Sequence, residues 1–111
     1  MFLTLGIFLF GNMATVYILY SKSANSYYTG SCVDLDIRMQ QHIHKTYSDS
    51  YTKKASDWEL YFYIENLGYR QAREIESHIK SMKSRKYIEN LKKYPDMIFR
   101  LVEKYSAGSS R

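Results

Sequence analysis

The sequence predicts an α+β domain: a three-stranded antiparallel sheet flanked by helices. Three features lead there. Two β-branched and aromatic runs, residues 14–20 (ATVYILY) and 27–32 (YYTGSC), stand either side of a short polar segment, the pattern of a hairpin. A third such run, residues 58–64 (WELYFYI), follows a polar stretch. From Ala72 onward the apolar residues recur at three- and four-residue spacing, which is the period of a helix packed on one face. At 111 residues there is room for one domain and its single core.

Residues 14–20 form the first strand, because β-branched and aromatic side chains fit a pleated surface. Residues 21–26 (SKSANS) have turn composition, and 27–32 return as the second strand. Asp34 is placed to cap a helix whose apolar stripe is Leu35, Met39 and Ile43, running to about Lys45. Residues 46–57 are polar and irregular, hence a loop. The third strand is apolar at successive positions, which predicts a central strand or one covered on both sides. Ala72, Ile75, Ile79 and Met82 then form one helical stripe. Ser84 caps a further helix with Tyr87, Ile88 and Leu91 facing inward. Pro95 interrupts it, and residues 96–105 restart as a short final helix. The small polar tail, 106–111, is expected to fray.

Composition narrows the function classes. One cysteine, Cys32, excludes an intramolecular disulfide and argues against a secreted disulfide scaffold. Residues 1–65 carry five Lys/Arg against six Asp/Glu, whereas 66–111 carry eleven against five. A basic C-terminal half suits a polyanion such as nucleic acid, although a solvated helical surface gives the same count. Residues 1–12 (MFLTLGIFLFGN) are apolar and uncharged. They lack the basic start and cleavage site of a signal peptide and are too short to span a bilayer. We take translation to start at Met13, with 1–12 a start-site artefact; if translated, they form an exposed apolar arm. The expected divisions are therefore 1–12, a domain over 13–95, and 96–111. The expected location is cytoplasmic, without membrane association.

Five positions carry chemistry: Tyr17, Tyr28, Arg38, His42 and Glu76. With residues 22–25 at the hairpin tip, Ser21 pairs with Ser26, Leu19 with Tyr28 and Tyr17 with Gly30. Alternation then puts Tyr17, Leu19, Tyr28 and Gly30 on one face. The two phenols become diagonal neighbours, roughly 7–8 Å apart. Gly30 leaves a gap beside them, wide enough for a phosphate to approach the backbone. An aromatic cross-strand cluster would look the same. On the first helix Arg38 and His42 lie four residues apart and share a face beside the apolar stripe. A guanidinium there can hold a phosphate bidentately. A simple surface pair is the alternative. Glu76, bordered by Ala72, Ile75 and Ile79, is a carboxylate at the edge of an apolar stripe and needs a cationic partner. A side-chain cation would serve, as would Mg²⁺, which prefers oxygen ligands and retains water. His44 and Glu74 fall on other faces and read as surface residues.

Together these positions resemble the GIY-YIG nuclease domain, especially its small stand-alone bacterial members, over residues 15–90. Thr15-Val16-Tyr17 stands where the family has Gly-Ile-Tyr, and Tyr28-Thr29-Gly30 where it has Tyr-Ile-Gly. Tyr17 and Tyr28 are eleven residues apart, Arg38 follows Gly30 by eight, and His42 follows Arg38 by four. Trp58-Glu59-Leu60 and residues 76–85 (ESHIKSMKSR) extend the match. The first half-motif departs from the family at Thr15.

The resemblance implies a metal-dependent endonuclease acting on DNA phosphodiester bonds, with a setting in DNA repair or recombination and structured or damaged DNA as substrate. It implies catalytic roles for Tyr17, Tyr28, Arg38, His42 and Glu76. Tyr17 would orient the attacking water or take its proton, Arg38 would stabilise transition-state charge, and Tyr28 and His42 would position the phosphate. Glu76 would hold one Mg²⁺ or Mn²⁺. A phenol has an unperturbed pKa of about 10, so Tyr17 would need a neighbouring cation to act as a base. Arg38, His42, Lys80, Lys83, Arg85, Lys86 and Asn90 are the expected nucleic-acid contacts, Asn90 standing for the family's late asparagine. The competing reading is a nucleic-acid-binding module of the same fold with weak or lost catalysis. A structural protein whose tyrosines are core packing is the third. Oligomeric state is open.

Overall fold

A computed structural model describes residues 13–44 and 51–106. Strands β1 (Met13–Ser21) and β2 (Ser26–Cys32) form the hairpin, followed by helix α1 (Leu35–Ile43). A single 3₁₀ turn, Thr52–Lys54, leads into β3 (Trp58–Gly68). Three helices close the chain: α2 (Tyr69–Met82), α3 (Arg85–Lys93) and α4 (Pro95–Lys104). The domain is thus α+β, with an antiparallel sheet in the order β2-β1-β3. Among the described residues no helix is long and apolar enough to cross a membrane. The expectations for 1–12, for the end of α1 at Lys45 and for 107–111 lie outside the described residues.

The hairpin register is the expected one: Ser21 opposite Ser26, Leu19 opposite Tyr28, Tyr17 opposite Gly30. Asn25 closes the tip in the left-handed region (φ 50°), a conformation asparagine tolerates. The Asp57 carboxylate secures this loop from the start of β3. It accepts hydrogen bonds from the Ser21 hydroxyl at 2.6 Å, the Ser23 hydroxyl at 2.8 Å and the Ser23 backbone N–H at 2.9 Å. These donors stabilise the ionised form and hold the Asp57 pKa down to about 2.

The central strand is β1, not β3. Both faces of β1 are buried, so it divides the core in two. Ala14, Val16 and Ile18 pack with Ile75 and Ile79 of α2, Leu91 of α3 and Leu101 of α4. Tyr17 and Leu19 pack on the other side with Tyr28, Trp58 and the half-buried Leu35 and Met39 of α1. The unbroken apolar run of β3 has a different cause. The register with β1 shifts twice, between Ile18 and Leu19 and between Ala14 and Val16, and each shift re-aims the side chains that follow. Trp58 therefore joins the α1 side, while Tyr61, Phe62, Ile64 and Leu67 serve the α2–α4 side. Leu60 and Tyr63 remain exposed on this edge strand.

Helix ends follow their local chemistry. Asp34 caps α1 by accepting from the Ile37 N–H at 3.1 Å, and Ser84 caps α3 by accepting from the Tyr87 N–H at 3.0 Å. At α2 the Gln71 side chain reaches back to the Gly68 N–H at 2.8 Å. Pro95 opens α4 at its first turn, where no N–H is needed. Two inward expectations are corrected. Ile43 is exposed and His42 takes the buried position on α1, because Arg38, Met39 and His42 turn toward the sheet. Met82, at the last turn of α2, is exposed, since the chain leaves the core there for the α2–α3 turn.

Candidate active site

The edge strand β2 is where the two helical layers meet. Among the described residues its outer margin has no strand partner, so its backbone groups need other ones. Arg38 supplies one: its Nη1 donates to the Ser31 carbonyl at 3.2 Å. Its Nε donates to Gln41 Oε1 at 3.1 Å. A guanidinium has five donors, and these two bonds fix the plane in which the rest lie. From the opposite layer α2 presents Glu76. The Ser31 hydroxyl donates to Glu76 Oε1 at 2.5 Å, and the Lys80 ammonium sits 2.7 Å from Glu76 Oε2. Ser31 thus links the arginine of α1 to the glutamate of α2.

Around this link lies a hollow of about 320 Å³. Tyr28, Gly30, Ser31, Arg38, Arg73 and Glu76 contribute to its lining. Cys32 is there too, with burial pushing its thiol pKa up despite the opposing charge of Arg38. Tyr17 and His42 belong to a buried layer beside it. Tyr17 is 0% exposed and His42 2%. The Tyr17 hydroxyl and His42 Nε2 are 2.9 Å apart, and the phenol donates when that nitrogen is unprotonated. Tyr28 joins the two zones: its ring centroid is 6.2 Å from that of Tyr17 and 5.4 Å from that of His42.

The gap expected opposite Gly30 is filled from within. A Cβ built on Gly30 would lie 2.6 Å from the Tyr17 hydroxyl oxygen and 2.7 Å from Cζ. The glycine is therefore needed for the phenol, not for an entering phosphate. Since Gly30 also lines the hollow, the Tyr17 hydroxyl lies directly against the hollow's backbone wall.

The arrangement has the parts for phosphate chemistry: a fixed guanidinium, a partly buried carboxylate and a phenol facing one space. A model of the GIY-YIG catalytic domain matches residues 13–92. The chain belongs to the GIY-YIG family. That family consists of endonucleases, typically using divalent metal ions, so its fold is one that carries nuclease-type chemistry on DNA. The match spans the sheet, α1, α2 and nearly all of α3. Neither the curated proteins nor the solved structures compared with this GIY-YIG chain give a significant match.

Of the residues singled out from sequence, Tyr28, Arg38 and Glu76 share the hollow, and Tyr17 and His42 form the buried pair against it. Lys80, Lys83 and Arg85 line a neighbouring cavity that shares Tyr28. Lys86 and Asn90 on α3 line neither. Asn90 is half-buried and its carbonyl accepts the Tyr94 N–H at 2.8 Å, a helix-end role. Sequence reading missed Ser31, Arg73 and the pairing of Lys80 with Glu76. Arg73 and Lys80 stand three residues before and four after Glu76, so helical spacing could have revealed both. Ser31 carries no such signal, because its value comes from the edge position of β2.

The donor set fits a hard divalent ion only in part. Among the described residues no three His, Cys, Asp or Glu side chains cluster. Glu76 and the Ser31 hydroxyl offer oxygen ligands, and Mg²⁺ commonly takes one or two carboxylates with the remainder from phosphate and water. The residues therefore suit a metal that arrives with, or is completed by, a phosphate.

Proposed function

We propose that this protein is a metal-dependent endonuclease that hydrolyses a DNA phosphodiester bond in the hollow between β2, α1 and α2. The observation that carries the reading is the convergence of Tyr28, Arg38 and Glu76, from three separate elements, on one space of about 320 Å³. The Arg38 guanidinium, oriented by Ser31 and Gln41, would bind the scissile phosphate and stabilise the charge that builds on its oxygens. Tyr28 would hold the phosphate from the side of the hairpin. Water attacks phosphorus in line, the bond to the leaving 3′-oxygen breaks, and that oxygen takes a proton from solvent. The attacking water's proton passes to solvent in the open hollow, and the buried Tyr17–His42 pair would act by holding Tyr28 and the Gly30 wall in position. Glu76, with the Ser31 hydroxyl beside it, would hold Mg²⁺ or Mn²⁺, which when bound supplies neutralisation of the phosphate and leaving-oxygen charge.

A second reading has one observation in its favour. The Lys80 ammonium already neutralises Glu76 at 2.7 Å, so the fold could serve as a nucleic-acid-binding module without a metal. The two readings part on one experiment. A nuclease nicks supercoiled plasmid with Mg²⁺ and stops when EDTA is added; a binding module shifts the plasmid's mobility but leaves it intact under both conditions. Absence of nicking across Mg²⁺ and Mn²⁺ titrations would reject the enzyme.

A further inference from the structure

The hollow extends past the groups assigned to the scissile phosphate. Toward the start of α2 its lining continues through Arg73 and Tyr69, with Ala14 of β1 and Val33, just after β2. Tyr69, Arg73 and Glu76 follow one another at steps of four and three residues, so they share a face of α2. At 1.5 Å of rise per residue, Arg73 stands roughly 4.5 Å nearer the helix start than Glu76. Hydrolysis as described makes no use of this end.

The charges of α2 single out Arg73. Arg70 pairs with Glu74 at 3.4 Å, and Lys80 with Glu76 at 2.7 Å. Both acids of the helix are thereby taken, and among the described residues Arg73 has neither a hydrogen bond nor an ion pair. It lines both the hollow and the shallow cleft outside it, as Tyr69 does, so its guanidinium stands at the rim. A guanidinium there repels a metal ion and offers its donors to an anion. Carbon surface is open beside it, Tyr69 being 56% exposed and Val33 60%. A free cation bordered by apolar surface suits a sugar–phosphate unit.

We infer that Arg73 holds the phosphate next to the scissile one, with Tyr69 and Val33 against its sugar. The hollow then takes two consecutive phosphates of one strand, the first on Arg38 and the second on Arg73. The inference rests on the nuclease reading for which of the two is cut, but the binding it describes needs no cleavage.

The test titrates the isotope-labelled full chain in EDTA with the thymidine dinucleotide TpT, which has one phosphodiester, and with the trinucleotide TpTpT, which has two. TpTpT should bind about fivefold tighter, the worth of one exposed charge pair, and should shift the Nε–H signals of both Arg38 and Arg73. A methylphosphonate at either linkage of TpTpT should remove the gain. Arg73→Gln, at an exposed position where folding is not at stake, should remove it too. Arg70→Gln makes the same charge change three residues away, outside the hollow, and should keep it. Equal affinity for the two probes would overturn the inference. So would a gain that survives Arg73→Gln, or one lost equally in Arg70→Gln. An Arg73-dependent gain in a protein that never nicks plasmid would reject the nuclease and leave the second phosphate site standing. Nicking that depends on Arg38, without any gain from the second phosphodiester, would do the reverse.

Discussion

Replacing Gly30 by alanine would put a methyl group where the Tyr17 phenol now lies. The backbone at Gly30 is not in the positive-φ region, so alanine is conformationally acceptable and the whole effect is steric. The new Cβ would meet the Tyr17 oxygen at 2.6 Å, Cζ at 2.7 Å and Cε1 at 3.1 Å, where carbon contacts relax only near 3.5–4.0 Å. The ring has nowhere to withdraw, since Tyr17 is fully buried and packed on Tyr28 and His42. Overpacking of this kind costs about 1–3 kcal/mol, and loss of the Tyr17–His42 hydrogen bond adds about 1 kcal/mol. Alanine returns about 0.5–1 kcal/mol through the lower entropy of the unfolded chain. The net loss is about 1–3.5 kcal/mol, a fall in Tm of roughly 5–20 °C for a domain of this size. Tyr17→Phe in the same background removes the oxygen but not Cζ, so it should recover only part of the loss. Thermal unfolding followed by circular dichroism reads the first effect. Mg²⁺-dependent plasmid nicking at 25 °C, where the variant is still folded, should fall at least a hundredfold. A Gly30→Ala protein that melts and nicks like the wild type would refute the close packing of phenol and hollow.

Three further outcomes follow from individual side chains. The Asp57 carboxyl, at about 2 against an ordinary 3.8, binds protons less readily folded than unfolded, so it contributes stability above pH 4 that is lost as pH falls toward 2. The Tm of Asp57→Asn should therefore lie below that of the wild type at pH 6, and the gap should close on acidification; a constant gap would contradict the hydrogen-bonded ionised form. The Cys32 thiol, buried and with its pKa raised, should resist a disulfide-exchange reagent at pH 7.5 and react fully in denaturant. Lys80→Met should change Tm by only a few degrees, because the pair is i,i+4 with Lys80 half-exposed and worth about 0.3–0.5 kcal/mol. It should nonetheless tighten Mn²⁺ binding about two- to fivefold by calorimetry, by removing an ammonium from the ligand oxygen; unchanged or weaker binding would remove Glu76 from the metal site.

The strands and their pairing were legible because period-two alternation and a six-residue polar turn leave few registers open for residues 14–32. Capping by Asp34 and Ser84, and the helix opened by Pro95, were legible for the same local reason. The sheet's order was not. The runs over β1 and β3 are both continuously apolar, and only the two register shifts of β3 reveal that its run serves an edge. On α1 the hydrophobic pattern pointed to Ile43, whereas the inward face holds Arg38 and His42. An inward face that is itself polar is not marked by hydrophobicity, so Arg38 and His42 stand out only through their four-residue spacing. The contact of Glu76 with Ser31 joins residues 45 apart and needs the fold to be seen, and the filling of the Gly30 gap by Tyr17 depends on a side-chain direction that the pairing alone does not give.

The most direct measurement is single-turnover cleavage of a fluorescent DNA by Arg38→Ala and by Glu76→Ala, beside their affinity for the same DNA in EDTA. Both positions lie at the rim of the core, so both variants should fold, bind within a few-fold of the wild type and fail to cut. Wild-type cutting rates in the two variants would mean that the chemistry takes place somewhere else on the molecule.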